Sequence, residues 1–273
     1  MDGRSRSKYD NREDEIMSLV EKETAKAVFA AYTDHYNSKD PKIKLKIDHT
    51  YRVAELCEKI AESVGMEEAD IRLAWLCGLL HDVGRFEQIR RYNTFSDADS
   101  VDHAKLSCEI LFGEEKRIRE YCKEDCYDTL IETAVGWHSA YRLPDELDDR
   151  TRAFCNILRD ADKIDILRVN LDTPMEQIYN VTSEELYAGT ISPAVMQAFD
   201  GHHTVLRALK KTAVDHAVGH ICLAYELVYP KSRQLIKEQG YLEKLMQFPT
   251  RNPETKKQFC HIREEMHRFL EEE

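Results

Sequence analysis

Leu76-Cys77-Gly78-Leu79-Leu80-His81-Asp82-Val83-Gly84-Arg85 constrains this chain more than any other stretch. It begins as a core helix. Leu73, Leu76, Cys77 and Leu80 recur at the three- and four-residue steps that place apolar side chains on one helical face. Two adjacent metal-liking groups follow, His81 and Asp82, then a glycine and an arginine. Burying an imidazole beside a carboxylate is costly unless something neutralises or coordinates both. A divalent cation does so. A His-Asp pair satisfied by hydrogen bonds at a helix end is the plain alternative, so the remaining chain has to supply partners.

Helical periodicity runs through most of the sequence. Residues 1–14 are polar and read as a flexible N-terminal tail. Ile16, Leu19, Val20, Ala27 and Ala31 mark a first amphipathic helix, and Asp40-Pro41 is a good start for a second. That second helix carries Val53, Leu56, Cys57, Ile60 and Val64 on one side and ends near Gly65. A third, begun near Glu67, leads into the His81-Asp82 pair. Arg85 to Arg91 then reads as a cationic stretch, and Asn93 to Asp102 as a polar loop. Gly113 to Asp128 reads as an exposed helical connection. A further helix runs from about Arg150, one long helix covers about 203–228, and Asn252-Pro253 opens the last. No alternating strand pattern or hairpin signal stands against this. The expected fold is all-α: a single helical domain over 15–273, with a metal-binding core at about 40–170 and a C-terminal helical cover at about 171–273.

The bulk numbers narrow the function. A chain of 273 residues, 42% hydrophobic and 33% charged, can bury a sizeable core. Its formal net charge of -12 argues against non-specific nucleic-acid or anionic-membrane binding. A small anionic substrate held by local cations and metal is still compatible with that balance. The eight cysteines include no Cys-x-x-Cys pair and read as free thiols, mostly small hydrophobes in helical patterns. No signal-peptide core and no apolar run of membrane-spanning length occurs, so a cytoplasmic protein is expected.

Candidate ligands recur at inward or terminal helix positions. His49 lies four residues before Val53 and seven before Leu56, along the buried stripe. His103 shares a face with Leu106 and Ile110, His138 follows an apolar helix, and Asp162 comes four residues after Leu158. With His81 and Asp82, that makes six donors converging from helices, the way α-proteins build dinuclear sites. A lone inward histidine is usually structural; this set is hard to explain so. The His-plus-carboxylate mix suits iron, manganese or another transition metal better than calcium or magnesium alone, although magnesium is admitted.

The order His49, then His81-Asp82, then Asp162 resembles the HD-domain superfamily of metal-dependent phosphohydrolases, whose signature is H…HD…D. The segments HTYRVAELCEKIA, AWLCGLLHDVGRFEQ and ILRDADKID are similar to that family's metal-ligand segments over about residues 40–170. His103 and His138 lie between the dyad and the last Asp, as in the dinuclear branch. The resemblance implies one metal on His49, His81, Asp82 and Asp162, with Asp82 bridging to a second on His103 and His138. The Gly-Tyr-Pro extension of the cyclic-dinucleotide phosphodiesterase branch is absent, and Arg85 stands where the nucleotidase branch has Glu.

The expected activity is metal-dependent phosphomonoester or phosphodiester hydrolysis on a nucleotide or similar phosphorylated small molecule. A metal-bridging water of lowered pKa would attack in line. Asp82 and Lys163 are the candidate catalytic residues, and Arg85, Lys163 and Arg142 the candidate substrate cations, since Arg forks onto phosphate and Lys offers a point charge. Two rivals use the same residues: a di-iron oxygenase with nearly the same ligands, and a non-enzymatic ligand-binding sensor.

Overall fold

The computed structural model describes residues 20–172, 174, 176 and 181–271. The flexible tail expected at 1–14, and the opening of the first amphipathic helix at 16–19, lie outside them. Among the described residues the chain is helical, with turns and loops between. It divides into two compact units, Met1–Ala161 and Asp162–Glu273.

The first unit holds α1 (Lys22–Thr33), α2 (Pro41–Ser63), α3 (Glu68–Leu80), α4 (Val83–Tyr92), α5 (His103–Phe112), the short α6 (Ile118–Tyr121), α7 (Asp128–Trp137) and the start of α8 (Asp149–Asp172). Helix α2 starts where the sequence places it: the Asp40 carboxylate accepts from the Lys42 amide, and Pro41 needs no partner for an amide it lacks. Its inward stripe buries His49, Val53, Leu56, Cys57 and Ile60.

Helix α3 departs from the one-faced expectation. Every residue from Leu73 to Leu80 is buried, so it is the unit's central helix, apolar all round. It lies so close to α2 that a Cβ at Gly78 would come within 2.6 Å of the Ala54 Cα. This approach sets His49 on one helix near His81 on the other.

The cationic stretch after the dyad is also helical. Asp82, at φ -110° and ψ 15°, interrupts the helix, and α4 restarts at Val83. Phe86 then packs edge-on against Phe29 and Tyr32 of α1, with ring centroids 5.8 and 6.0 Å apart. The connection at 113–128 is less exposed than its charge suggests, because α6 and its flank bury Ile118, Tyr121 and Cys122.

Ser107 of α5 stitches the dyad turn in place. Its hydroxyl donates to the His81 carbonyl at 2.9 Å and accepts from the Gly84 amide at 2.9 Å. A Cβ on Gly84 would sit 2.5 Å from the His103 carbonyl oxygen and 2.7 Å from the Ser107 amide, both backbone atoms. Gly84→Ala should therefore destabilise the protein by about 1–3 kcal/mol, the usual scale of overpacking. Denaturant melts of metal-free protein test this, and unaltered stability would mean that α4 and α5 separate at no cost.

The second unit contains α9 (Ser183–Ala188), α10 (Pro193–Asp200), α11 (Ala213–Ile221), α12 (Pro230–Gln239), α13 (Tyr241–Met246) and α14 (Pro253–Glu271). The single helix expected over 203–228 is in fact three pieces: a 3-10 turn at Arg207–Leu209, α11, and a 3-10 segment at Cys222–Glu226. The break has a local cause. Thr212 and Asp215 form a capping box that starts α11, and the buried Asp215 carboxylate also accepts from the Ser192 amide and hydroxyl and the Lys211 amide. Helix α14 buries Phe259, Ile262, Met266 and Leu270 along one stripe. No described helix is long and apolar enough to cross a membrane.

Candidate metal centre

His49 comes from α2, the His81-Asp82 pair from the break between α3 and α4, His103 from the first residue of α5, and His138 from the end of α7. Asp162 sits on α8. Ligand atoms of His49, His81 and Asp82 lie within 4.8 Å of one another, as do those of Asp82, His103 and His138, and those of His81, His138 and Asp162. Helix ends make this convergence cheap: a terminal residue can point inward without breaking backbone hydrogen bonds already made.

Asp82 sits at the middle. Its Oδ2 is 3.5 Å from His49 Nε2 and 3.4 Å from His81 Nε2. Its Oδ1 is 3.5 Å from His103 Nε2 and 3.8 Å from His138 Nε2. Although Asp82 precedes α4, its side chain caps no amide there. Oδ1 is buried without a hydrogen-bond partner, a state that ordinarily costs about 1–3 kcal/mol. The carboxylate is turned into the cluster, away from the helix end.

The histidine tautomers follow from their outer contacts. A carbonyl can only accept, so His81 Nδ1, 2.7 Å from the Gly78 oxygen, carries the proton, as does His138 Nδ1, 2.7 Å from the Val135 oxygen. His103 Nδ1 donates to Asp97 Oδ2 at 2.7 Å. In the neutral rings, each Nε2 then presents a lone pair to the centre. Yet His103 Nε2 and His138 Nε2 are 3.0 Å apart, and His81 Nε2 and His49 Nε2 3.3 Å apart. The lone pairs that face each other between His103 and His138 repel unless a cation lies against them. Together with the orphaned carboxylate oxygen, this donor set is compatible with divalent metal binding, with the outer nitrogens held as in metal-ligating histidines. The residues fit divalent ions.

Charge around Asp82 fixes its state. Burial pushes its carboxyl up, but the Lys46 ammonium, His81 and Arg85 outweigh burial and hold it well below the usual carboxylate range. It is an anion, as a carboxylate that is to hold a cation must be.

The three candidate substrate cations are placed differently. Arg85 Nε stands 3.6 Å from Asp82 Oδ1, while its Nη1 donates to the Phe95 carbonyl, Gln88 Oε1 and Asp97 Oδ1. Lys163 is buried, 3.3 Å from Glu226 Oε2. Arg142 is exposed and lies over the Tyr141 ring at 5.7 Å.

Three further residues were not anticipated. Lys46 Nζ is 2.5 Å from Asp82 Oδ2. It lies three residues before His49, a helical spacing that could have drawn attention to it, although a lysine before a ligand usually reads as solvated surface. Arg159 donates from α8 to the carbonyls of Trp137, His138 and Ala140 and so closes the end of α7. Asp97, in the polar loop, holds both His103 and Arg85. Burial raises the Asp97 carboxyl, but His103, Arg85 and Gln88 together bring it down to about 2. Asp97→Ala should free the His103 ring and weaken any ion that His103 holds by about ten- to a hundredfold, the usual worth of an outer partner to a ligand. Metal titration against a chelator reads this directly; unchanged affinity would show that Asp97 serves the loop alone.

Residues 47–167 match the family model described as the HD domain. That match coincides with the helices carrying the six clustered His and Asp residues, and over this segment the chain is similar to the all-helical HD domain, which suggests the metal-dependent hydrolase superfamily. No curated protein and no solved structure matches the chain.

Proposed function

We propose that the protein is a metal-dependent phosphohydrolase that cleaves a phosphomonoester or phosphodiester of a nucleotide or similar small metabolite. The observation carrying this reading is the division of Asp82: each carboxylate oxygen faces its own pair of imidazole nitrogens. That arrangement suits two ions sharing one carboxylate, one with His49, His81 and Asp162, the other with His103 and His138. Such ions, iron, manganese or another divalent metal, would polarise phosphoryl oxygens and make water acidic enough to attack at neutral pH.

The protein's own groups have narrower tasks. The imidazoles, with Nδ1 protons committed outward, keep Nε2 available and cannot turn away. Asp82, held anionic, supplies the bridging charge. Arg85 beside Asp82 and Lys163 beside Asp162 add positive potential around the centre, which favours the negative charge of an in-line displacement without requiring that either touch the phosphate. The α3 core and the dyad turn hold these positions rigidly.

Elemental analysis of anaerobically purified protein, followed by a phosphate-release panel of nucleotides, dinucleoside polyphosphates and sugar phosphates, tests the reading. Stoichiometric metal with phosphate release supports it. Metal-loaded protein that releases no phosphate but consumes oxygen would replace it with oxygenase chemistry.

A further inference from the structure

Phosphoryl transfer at such a centre needs a cation able to meet a substrate oxygen, and the cations near it are unequally available. Arg85 gives Nη1 to Phe95, Gln88 and Asp97, which ties it to the 93–102 loop, while its buried Nε, without a hydrogen-bond partner, stands 3.6 Å from Asp82 Oδ1. Lys163 lies against Glu226. Arg142 is exposed, stacked on Tyr141.

Of these cations Lys46 comes nearest to Asp82. Its ammonium touches Asp82 Oδ2 at 2.5 Å, on the side that faces His49 and His81. Its side chain keeps 17% of its surface exposed, close to the 14% of Arg85, where those of Asp82, His49 and His81 keep 2% or less, so it lies on the solvent side of these ligands. It shares the Phe95 ring with Arg85, the ammonium lying 5.6 Å and the guanidinium carbon 5.8 Å from the ring centre. A lysine ammonium is a compact charge with three donors on a flexible stem. One donor serves Asp82, which leaves the others for an arriving anion.

An electrostatic argument completes the assignment. With a divalent ion drawing on Asp82 Oδ2, the ammonium and the ion would compete for one carboxylate oxygen and repel each other. An anionic oxygen between them relieves that repulsion. We propose that Lys46 is the phosphate-binding cation of this centre: it holds Asp82 while the site lacks an anion and donates to a non-bridging phosphoryl oxygen when one is bound. This rests on the phosphohydrolase reading and adds the residue through which the centre recognises phosphate.

Titration calorimetry of inorganic phosphate into metal-loaded protein tests it, with metal content measured on every sample. The wild type should bind phosphate. K46Q should keep wild-type metal content and bind phosphate about ten- to a hundredfold more weakly, the scale of one hydrogen bond to a charged group. K46R should recover most of the affinity, which a purely spatial role would not require. K46M provides an uncharged replacement of similar length should K46Q fail to fold. Full metal with unchanged phosphate affinity in the uncharged variants would overturn the assignment alone, as would loss of metal, which would make Lys46 only a support for Asp82. A metal-loaded wild type that binds no phosphate would overturn the phosphohydrolase reading as well.

Discussion

His81→Ala and Asp82→Ala should each abolish turnover, lowering it by on the order of a thousandfold or more, and should do so mainly by losing metal. The geometry says why the two differ in kind from substitutions elsewhere. His81 is fully buried, its Nδ1 proton is committed to the Gly78 carbonyl, and its Nε2 lies near both His49 Nε2 and Asp82 Oδ2. Asp82 is the common neighbour of four imidazoles and carries the negative charge that offsets Lys46 and Arg85. Without it, the centre would be a set of neutral nitrogens beside two cations, a poor place for a divalent ion. Metal analysis and phosphate release on purified, folded variants check this. A variant with full metal and near wild-type release would remove the dyad from the mechanism.

What the sequence made legible follows from how local each cause is. His49 and Asp162 could be placed inward because helical spacing ties them to Val53 and Leu158, and Asp40-Pro41 announces its helix by its own chemistry. Against the plain alternative for the dyad, hydrogen bonding at a helix end, stands the buried Asp82 Oδ1 without a hydrogen-bond partner, which is a tertiary fact. Lys46 and Asp82 meet across 36 residues, and Asp97 reaches Arg85 across 12, so neither pairing leaves a trace in nearby sequence. Asp97 stood in a stretch whose Asn, Ser and Asp residues read as ordinary turn chemistry. The interruption over 203–228 was partly legible, since Thr212 and Asp215 have capping-box spacing, but the apolar run around them outweighed that signal. The helix at 83–92 was missed for the opposite reason: its arginines obscured a buried face of Val83, Phe86 and Ile89.

One ion or two is the sharper question, and His103 and His138 decide it. A centre using only His49, His81, Asp82 and Asp162 would have no need of two more imidazoles with Nε2 atoms 3.0 Å apart and aimed at Asp82 Oδ1. Nor would it leave that oxygen buried without a hydrogen-bond donor. The outer contacts add weight, because Asp97 and the Val135 carbonyl fix both rings with Nε2 inward. About two ions per chain are therefore expected. His103→Ala and His138→Ala should each lower that towards one, while the ion on His49, His81, Asp82 and Asp162 remains. If these histidines instead orient substrate or donate a proton, metal content would stay unchanged in both variants while the pH–rate profile lost a limb. An unchanged count would sink the dinuclear assignment, while the match of residues 47–167 to the HD domain would stand.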